Sequence, residues 1–150
     1  MQKTIRTLNQ LTRVCRDGEE SCRICSARAA SSDLRALLCQ RCDEWSRLGD
    51  ELQALVLSLG GSPVTSGTVA ARARRAWLVL SAALVGPTDA ALIEAWWRAQ
   101  RRALTRYTEA VGGYLPERIR RTVSLQADRT ADRLDEIDGL QRREAAHFQS

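Results

Sequence analysis

Apolar or small residues recur at positions 5, 8, 11, 15, 18, 22, 25 and 29. Steps of three and four mark one face of a packed helix, predicted over 3–30. Ser31, Ser32 and Asp33 interrupt the stripe and supply an N-cap for a second helix over 33–60. Its inner face holds Leu34, Leu38, Cys42, Trp45, Gly49, Leu52, Val56 and Leu59, and Gly60-Gly61 stops it. Positions 61–88 are looser, with Pro63 and Gly67, yet carry a shorter apolar helix over 69–85 around Trp77, Leu78, Leu80 and Leu84. Gly86-Pro87-Thr88-Asp89 ends that segment and caps a helix over 89–112, with Ile93, Trp96, Trp97, Gln100, Leu104, Tyr107 and Val111 inward. After Gly112-Gly113 the last helix, 116–146, takes Pro116 in its first turn and turns Ile119, Val123, Thr130, Leu134, Ile137 and Leu140 inward. The tail beyond it frays.

Four long helices make an all-α bundle in a single domain over 1–150. Tight turns at 31–32 and 112–116 make two antiparallel hairpins. The connection over 61–88 is long enough to cross the bundle end to end. One long crossover between two hairpins is the ferritin-like topology, not the simple up-down one.

Composition supports this reading. The 150 residues are 44% hydrophobic and 27% charged, and nine Gly and three Pro are too few for the turns of an all-β chain. Net charge is +5, and of 23 basic residues only Lys3 is not arginine. That bias fits a GC-rich coding preference before it fits a phosphate-binding surface, since Asp and Glu are interspersed. Arg98, Arg101, Arg102, Arg106, Arg118, Arg120 and Arg121 gather around the second turn, offset only by Glu109 and Glu117. No exposed aromatic series accompanies them, so a solvated face is favoured over a nucleic-acid site, and an acidic partner stays open. The N-terminus lacks an apolar core of signal-peptide length, and the longest apolar run, Ala76 to Val85, is too short to span a membrane. A cytoplasmic protein with no membrane partner is expected. One of the adjacent Trp96 and Trp97 must point away from the main core, to cover the crossover or to form a homo-oligomer contact.

Several segments fall in a telling order: Asp17-Gly18-Glu19, Glu51-Leu52 to Leu59-Gly60-Gly61-Ser62-Pro63, Arg75-Ala76-Trp77, Tyr107-Thr108-Glu109-Ala110 and Leu115-Pro116. Together, over about Thr4 to Leu140, they resemble a ferritin-like four-helix-bundle family of bacterial proteins of unknown function. The resemblance implies the fold and, weakly, an oligomerising or stress-associated module without an established reaction.

A ferritin-like di-iron centre needs one Glu from each of two helices and Glu-x-x-His from each of the others. Given the first turn, Glu20 lies level with Glu44. Given the second, Gln100 lies level with Asp128. These are the carboxylate positions, and they form a degenerate set. Glu44 is followed at the third position by Arg47 and Asp128 by Ala131, Gln100 is a neutral amide, and the only histidine, His147, is in the tail. Iron chemistry is therefore not expected, and Glu20, Glu44 and Asp128 read as solvated or arginine-paired flanks. Gln100 sits on an apolar stripe and should find a hydrogen-bond partner in the core.

The cysteines offer the other candidate site. Cys22-x-x-Cys25 and Cys39-x-x-Cys42 face each other at one level of the first hairpin, with Cys15 a heptad before Cys22. Four thiolates there would suit Zn or Cu. Cysteine as a small apolar filler of a core layer, or a redox disulfide, uses the same residues. No histidine is placed to activate a cysteine nucleophile. The function expected is thus a non-catalytic ferritin-like bundle with no catalytic residues. The alternatives are a thiolate metal or redox protein, and a basic surface for an acidic partner or nucleic acid.

Overall fold

The computed structural model describes residues 1–65 and 88–149, and side chains through 146. Within them four helices follow in order: α1 (Gln2–Arg28), α2 (Ser32–Ser58), α3 (Asp89–Gly112) and α4 (Glu117–Gln149). Among the described residues there is no strand. The helices match the predicted segments to within a few residues. The predicted short helix over 69–85 lies outside the described residues.

Local chemistry sets the ends. Ser31 Oγ accepts from the Leu34 N–H to start α2, and Thr88 Oγ1 accepts from Ala91 N–H to start α3. α2 closes at Gly60, whose φ of +77° suits a residue without a Cβ. Pro116 immediately precedes α4 rather than standing in its first turn, and its carbonyl accepts from the Arg120 N–H.

Chain direction follows from one contact. The Asp89 carboxylate, at the start of α3, accepts from the N–H groups of Ala30 and Ser31 at 2.8 and 2.9 Å. The third helix therefore begins beside the turn between α1 and α2, and runs parallel to α2. α2 therefore ends, and α3 begins, at opposite ends of the bundle, which is the single-crossover arrangement. The first residues of the connection lie over the α1–α2 groove, where Val64 N–H donates to Asn9 Oδ1 and Val64 O accepts from Gln53.

The core holds Leu8, Leu11, Leu38, Leu52, Leu92, Trp96, Val123 and Ile137, all nearly inaccessible. Gly18 lets Trp45 lie against the α1 backbone: a Cβ there would stand 2.6 Å from the indole. Trp96 is buried. Trp97 is half-buried at the α3–α4 seam, where its Nε1–H donates to Asp138 Oδ1 at 2.7 Å and Arg101 lies over its ring.

Candidate functional site: a polar seam through the bundle

α1 and α3 approach each other closely, whereas α2 and α4 are held together mainly by long side chains. On α2, Arg41, Glu44, Leu48 and Glu51 share one face by their three-and-four spacing. On α4, Gln126, Thr130, Arg133 and Ile137 do the same. The result is a polar seam in an otherwise apolar interior.

At its upper part charges alternate. Arg133 grips Glu44 through two parallel bonds, Nε to Oε1 and Nη2 to Oε2, both 2.9 Å. Its Nη1 donates to Glu136 at 3.2 Å. Arg41 in turn grips Glu136 at 3.2 and 3.0 Å, and Arg129 approaches Glu44 at 3.8 Å. Such fork-on-carboxylate pairs are the strong form of the ion pair. Burial by itself would push the Glu44 carboxyl up, but the Arg133 pair, backed by Arg41 and Arg129, outweighs it and holds the acid below its ordinary value.

At its lower part the seam is mostly uncharged, with Glu51 its one carboxylate, and joins all four helices. Tyr107 of α3, fully buried, donates to Gln126 Oε1 at 2.7 Å. The Gln126 amide nitrogen donates to Leu48 O at 3.2 Å and to Glu51 Oε2 at 2.9 Å. Because the tyrosine proton is given to Gln126, the 3.2 Å contact between Cys15 Sγ and Tyr107 Oη is a thiol donating to the phenol. Burial pushes that thiol up to about 12. One turn away, Thr130 Oγ1 donates to Gln126 O, and Gln100 Nε2 donates to Thr130 O at 3.1 Å.

The four positions of a di-iron set are thus scattered. Glu20 meets Arg23 of its own helix, and Glu44 turns across to α4. Gln100 has the core partner its stripe demanded. Asp128 is exposed, in line with its reading as a solvated flank, but Gln100 is not level with it. The stretch over 113–116 is asymmetric, with Leu115 folded into the core, so Gln100 meets Thr130 instead. On α4 the buried positions step from Val123 to Gln126 to Thr130, which leaves 128 on the opposite side. Gln126, Glu51 and Arg133 were missed in the sequence. The signal for Gln126 was present, since a helical step from Val123 to Thr130 passes through 126 and not 128.

The cysteines keep their common level but not a common centre. Cys25 Sγ points at Leu92 O of α3 (3.9 Å), Cys42 donates to Glu19 O at 3.4 Å, and Cys39 meets Ser26 Oγ at 3.0 Å. Cys15, Cys22 and Cys25 are buried, Cys42 is half-buried, and Cys39 is exposed. All five are free. Burial raises Cys22 and Cys42 and pushes Cys25 up to about 12, which disfavours a thiolate nucleophile. Among the described residues no three or more His, Cys, Asp or Glu side chains are grouped to hold an ion. The residues present do not fit a di-iron centre. Among the described residues, too, no helix is long and apolar enough to cross a membrane.

Much of the arginine face is locally engaged. Arg98 pairs with Glu94, Arg106 with Glu109, and Arg120 donates to the carbonyls of Val111 and Gly113, closing the end of α3.

A four-helix bundle with one long crossover and an internally paired polar seam defines the class: an all-α, ferritin-like bundle. The model of a family described as a domain of unknown function (DUF2383) matches residues 3–113, and the chain belongs to that family. A search of curated proteins gives no match.

The Glu44 pair implies a pH dependence. A carboxyl held below its unfolded value stabilises the fold above about pH 4.5, and that contribution is lost as pH falls through the folded value. Thermal unfolding followed from pH 7 to pH 3 is expected to show the midpoint falling at the acid end. The fall should be shallower in Glu44→Gln.

Proposed function

We propose that this domain is a non-catalytic ferritin-like module, in which the carboxylate positions of a di-iron centre are degenerate and the bundle serves association or scaffolding instead of redox chemistry. One observation carries this reading: both oxygens of Glu44 are taken by the Arg133 guanidinium. A fixed cation from the chain's own α4 stands where a carboxylate would need an open face for metal. The neutral Gln100, donating to a backbone carbonyl, supports the same reading, because an amide nitrogen turned inward supplies no ligand.

The test is aerobic Fe(II) addition to the purified protein, followed by absorbance. The expected result is oxidation at the rate of buffer alone. Fast stoichiometric oxidation that disappears in the Glu20→Ala/Glu44→Ala double variant would overturn the proposal.

A further inference from the structure

Below the Arg133 cluster the α2 and α4 backbones stand apart, and a groove of about 490 Å³ opens to solvent between them. Its apolar lining is Leu48, Ala54 and Leu55 of α2 and Leu125 of α4. Leu125 is 66% exposed, and Leu57, one turn beyond Ala54, is 63% exposed. Two of the four large apolar side chains exposed among the described residues thus flank this groove. Exposed apolar surface rimmed by charge marks a contact face. The chain that follows α2 does not cover it as far as it is described. Val64 is held by Asn9 and Gln53, and Gln53 stands about half a turn of helix from both Glu51 and Leu55, on the opposite side of α2.

The two walls carry opposite charges that the chain itself matches poorly. On the α2 wall Glu51 is exposed; it accepts from Gln126 but is in no ion pair among the described residues. On the α4 wall Arg129 is 55% exposed and lies 3.8 Å from Glu44, whose two oxygens Arg133 already takes. Three guanidinium groups, of Arg41, Arg129 and Arg133, meet only two carboxylates there, of Glu44 and Glu136, and Arg129 is the surplus cation. One patch therefore holds a projecting leucine beside an apolar groove, and an under-used acid beside an under-used base. A surface that must fit a copy of itself needs this pairing of features, because in a twofold contact the same patch is used on both sides. With the axis running along the helices, the α2 wall of one copy faces the α4 wall of the other, so acid meets base.

We propose that the α2–α4 groove is the contact face of a homodimer with twofold symmetry. Leu125 of each copy enters the groove of the other, and each Glu51 faces Arg129 of the partner subunit. This rests on the association reading above and assigns it a surface and a partner, a second copy of this chain.

Sedimentation equilibrium on the full chain at neutral pH and low salt tests it, with thermal unfolding confirming that each variant is folded. The parent is expected at twice its chain mass of 16.7 kDa. Leu125→Asp should sediment as a monomer. Glu51→Arg and Arg129→Glu each bring like charges together and should weaken the dimer by about tenfold or more. Mixed in equal amounts, these two variants restore both charge pairs and should recover the dimer. The milder Glu51→Gln and Arg129→Gln should weaken it less and flatten its dependence on salt. A monomeric parent at all concentrations would overturn the proposal. A dimer indifferent to Leu125→Asp and to both charge reversals would overturn it too, while leaving association through another face standing. Failure of the mixture to dimerise would break the assigned pairing of Glu51 with Arg129. Oxidation of Fe(II) is measured separately, so an active iron centre and a wrong contact face give different results.

Discussion

Tyr107→Ala is expected to destabilise the protein by about 3–5 kcal/mol, the cost of emptying a large, fully buried aromatic position. Tyr107 has no accessible surface and its ring is part of the core. Its hydroxyl also holds the lower half of the seam together, receiving from Cys15 and giving to Gln126. Tyr107→Phe separates the two contributions. It keeps the ring, leaves Gln126 Oε1 without its donor, and should cost about 1–3 kcal/mol. For a chain of this size the alanine change corresponds to a fall in thermal midpoint of roughly 6–20 °C. Calorimetry of the three proteins checks the ranking. A phenylalanine variant as stable as the parent would mean that the Tyr107–Gln126 bond contributes nothing net.

Helix positions and topology were legible in the sequence because they follow from periodicity and stop signals. The stripe from residue 5 to 29, the Ser31 cap and Gly60 each act within a turn or two of their own position, and the structure has them where the pattern put them. The level of the first hairpin was legible too, because its turn is short and symmetric: Cys39 meets Ser26, and Cys42 meets Glu19. The second hairpin was less so. Leu115 folds inward between Gly113 and Pro116, and a turn that buries a side chain shifts register in a way no count along the helices reveals. Side-chain direction was the least legible. The sequence pattern assigns Glu20 and Glu44 a common level, but which way each carboxylate turns depends on where its arginine sits. Arg133 is 89 positions away from Glu44 and on a helix whose register was not known. The thiols diverge for a similar reason: level is a property of the backbone, whereas convergence on a metal is a property of rotamers and neighbours.

Arg133→Met is the second large effect. Methionine keeps much of the volume of the arginine stem but leaves Glu44, whose side chain is 9% exposed, with only the more distant Arg129 of α4, at 3.8 Å, in place of its two-bond partner. Removing one partner of a fully buried pair costs about 3–5 kcal/mol, and an exposed pair is worth under about 1 kcal/mol. Arg133 is 28% exposed, so the expected loss is between these, roughly 1–3 kcal/mol at neutral pH. The loss should shrink toward pH 4 as the stranded carboxyl takes up a proton.

The engagement of Glu44 by Arg133, on which the non-catalytic reading rests, is tested most directly by a double-mutant cycle. Denaturant unfolding at pH 7 is measured for the parent, Glu44→Gln, Arg133→Met and the double variant. The expected result is a coupling of about 1 kcal/mol or more, with the double variant less destabilised than the two single losses combined, because a neutral amide at position 44 no longer needs a cation. Single effects that add to within about 0.3–0.5 kcal/mol would contradict it, and would mean that the Glu44 carboxylate is free of Arg133 in solution.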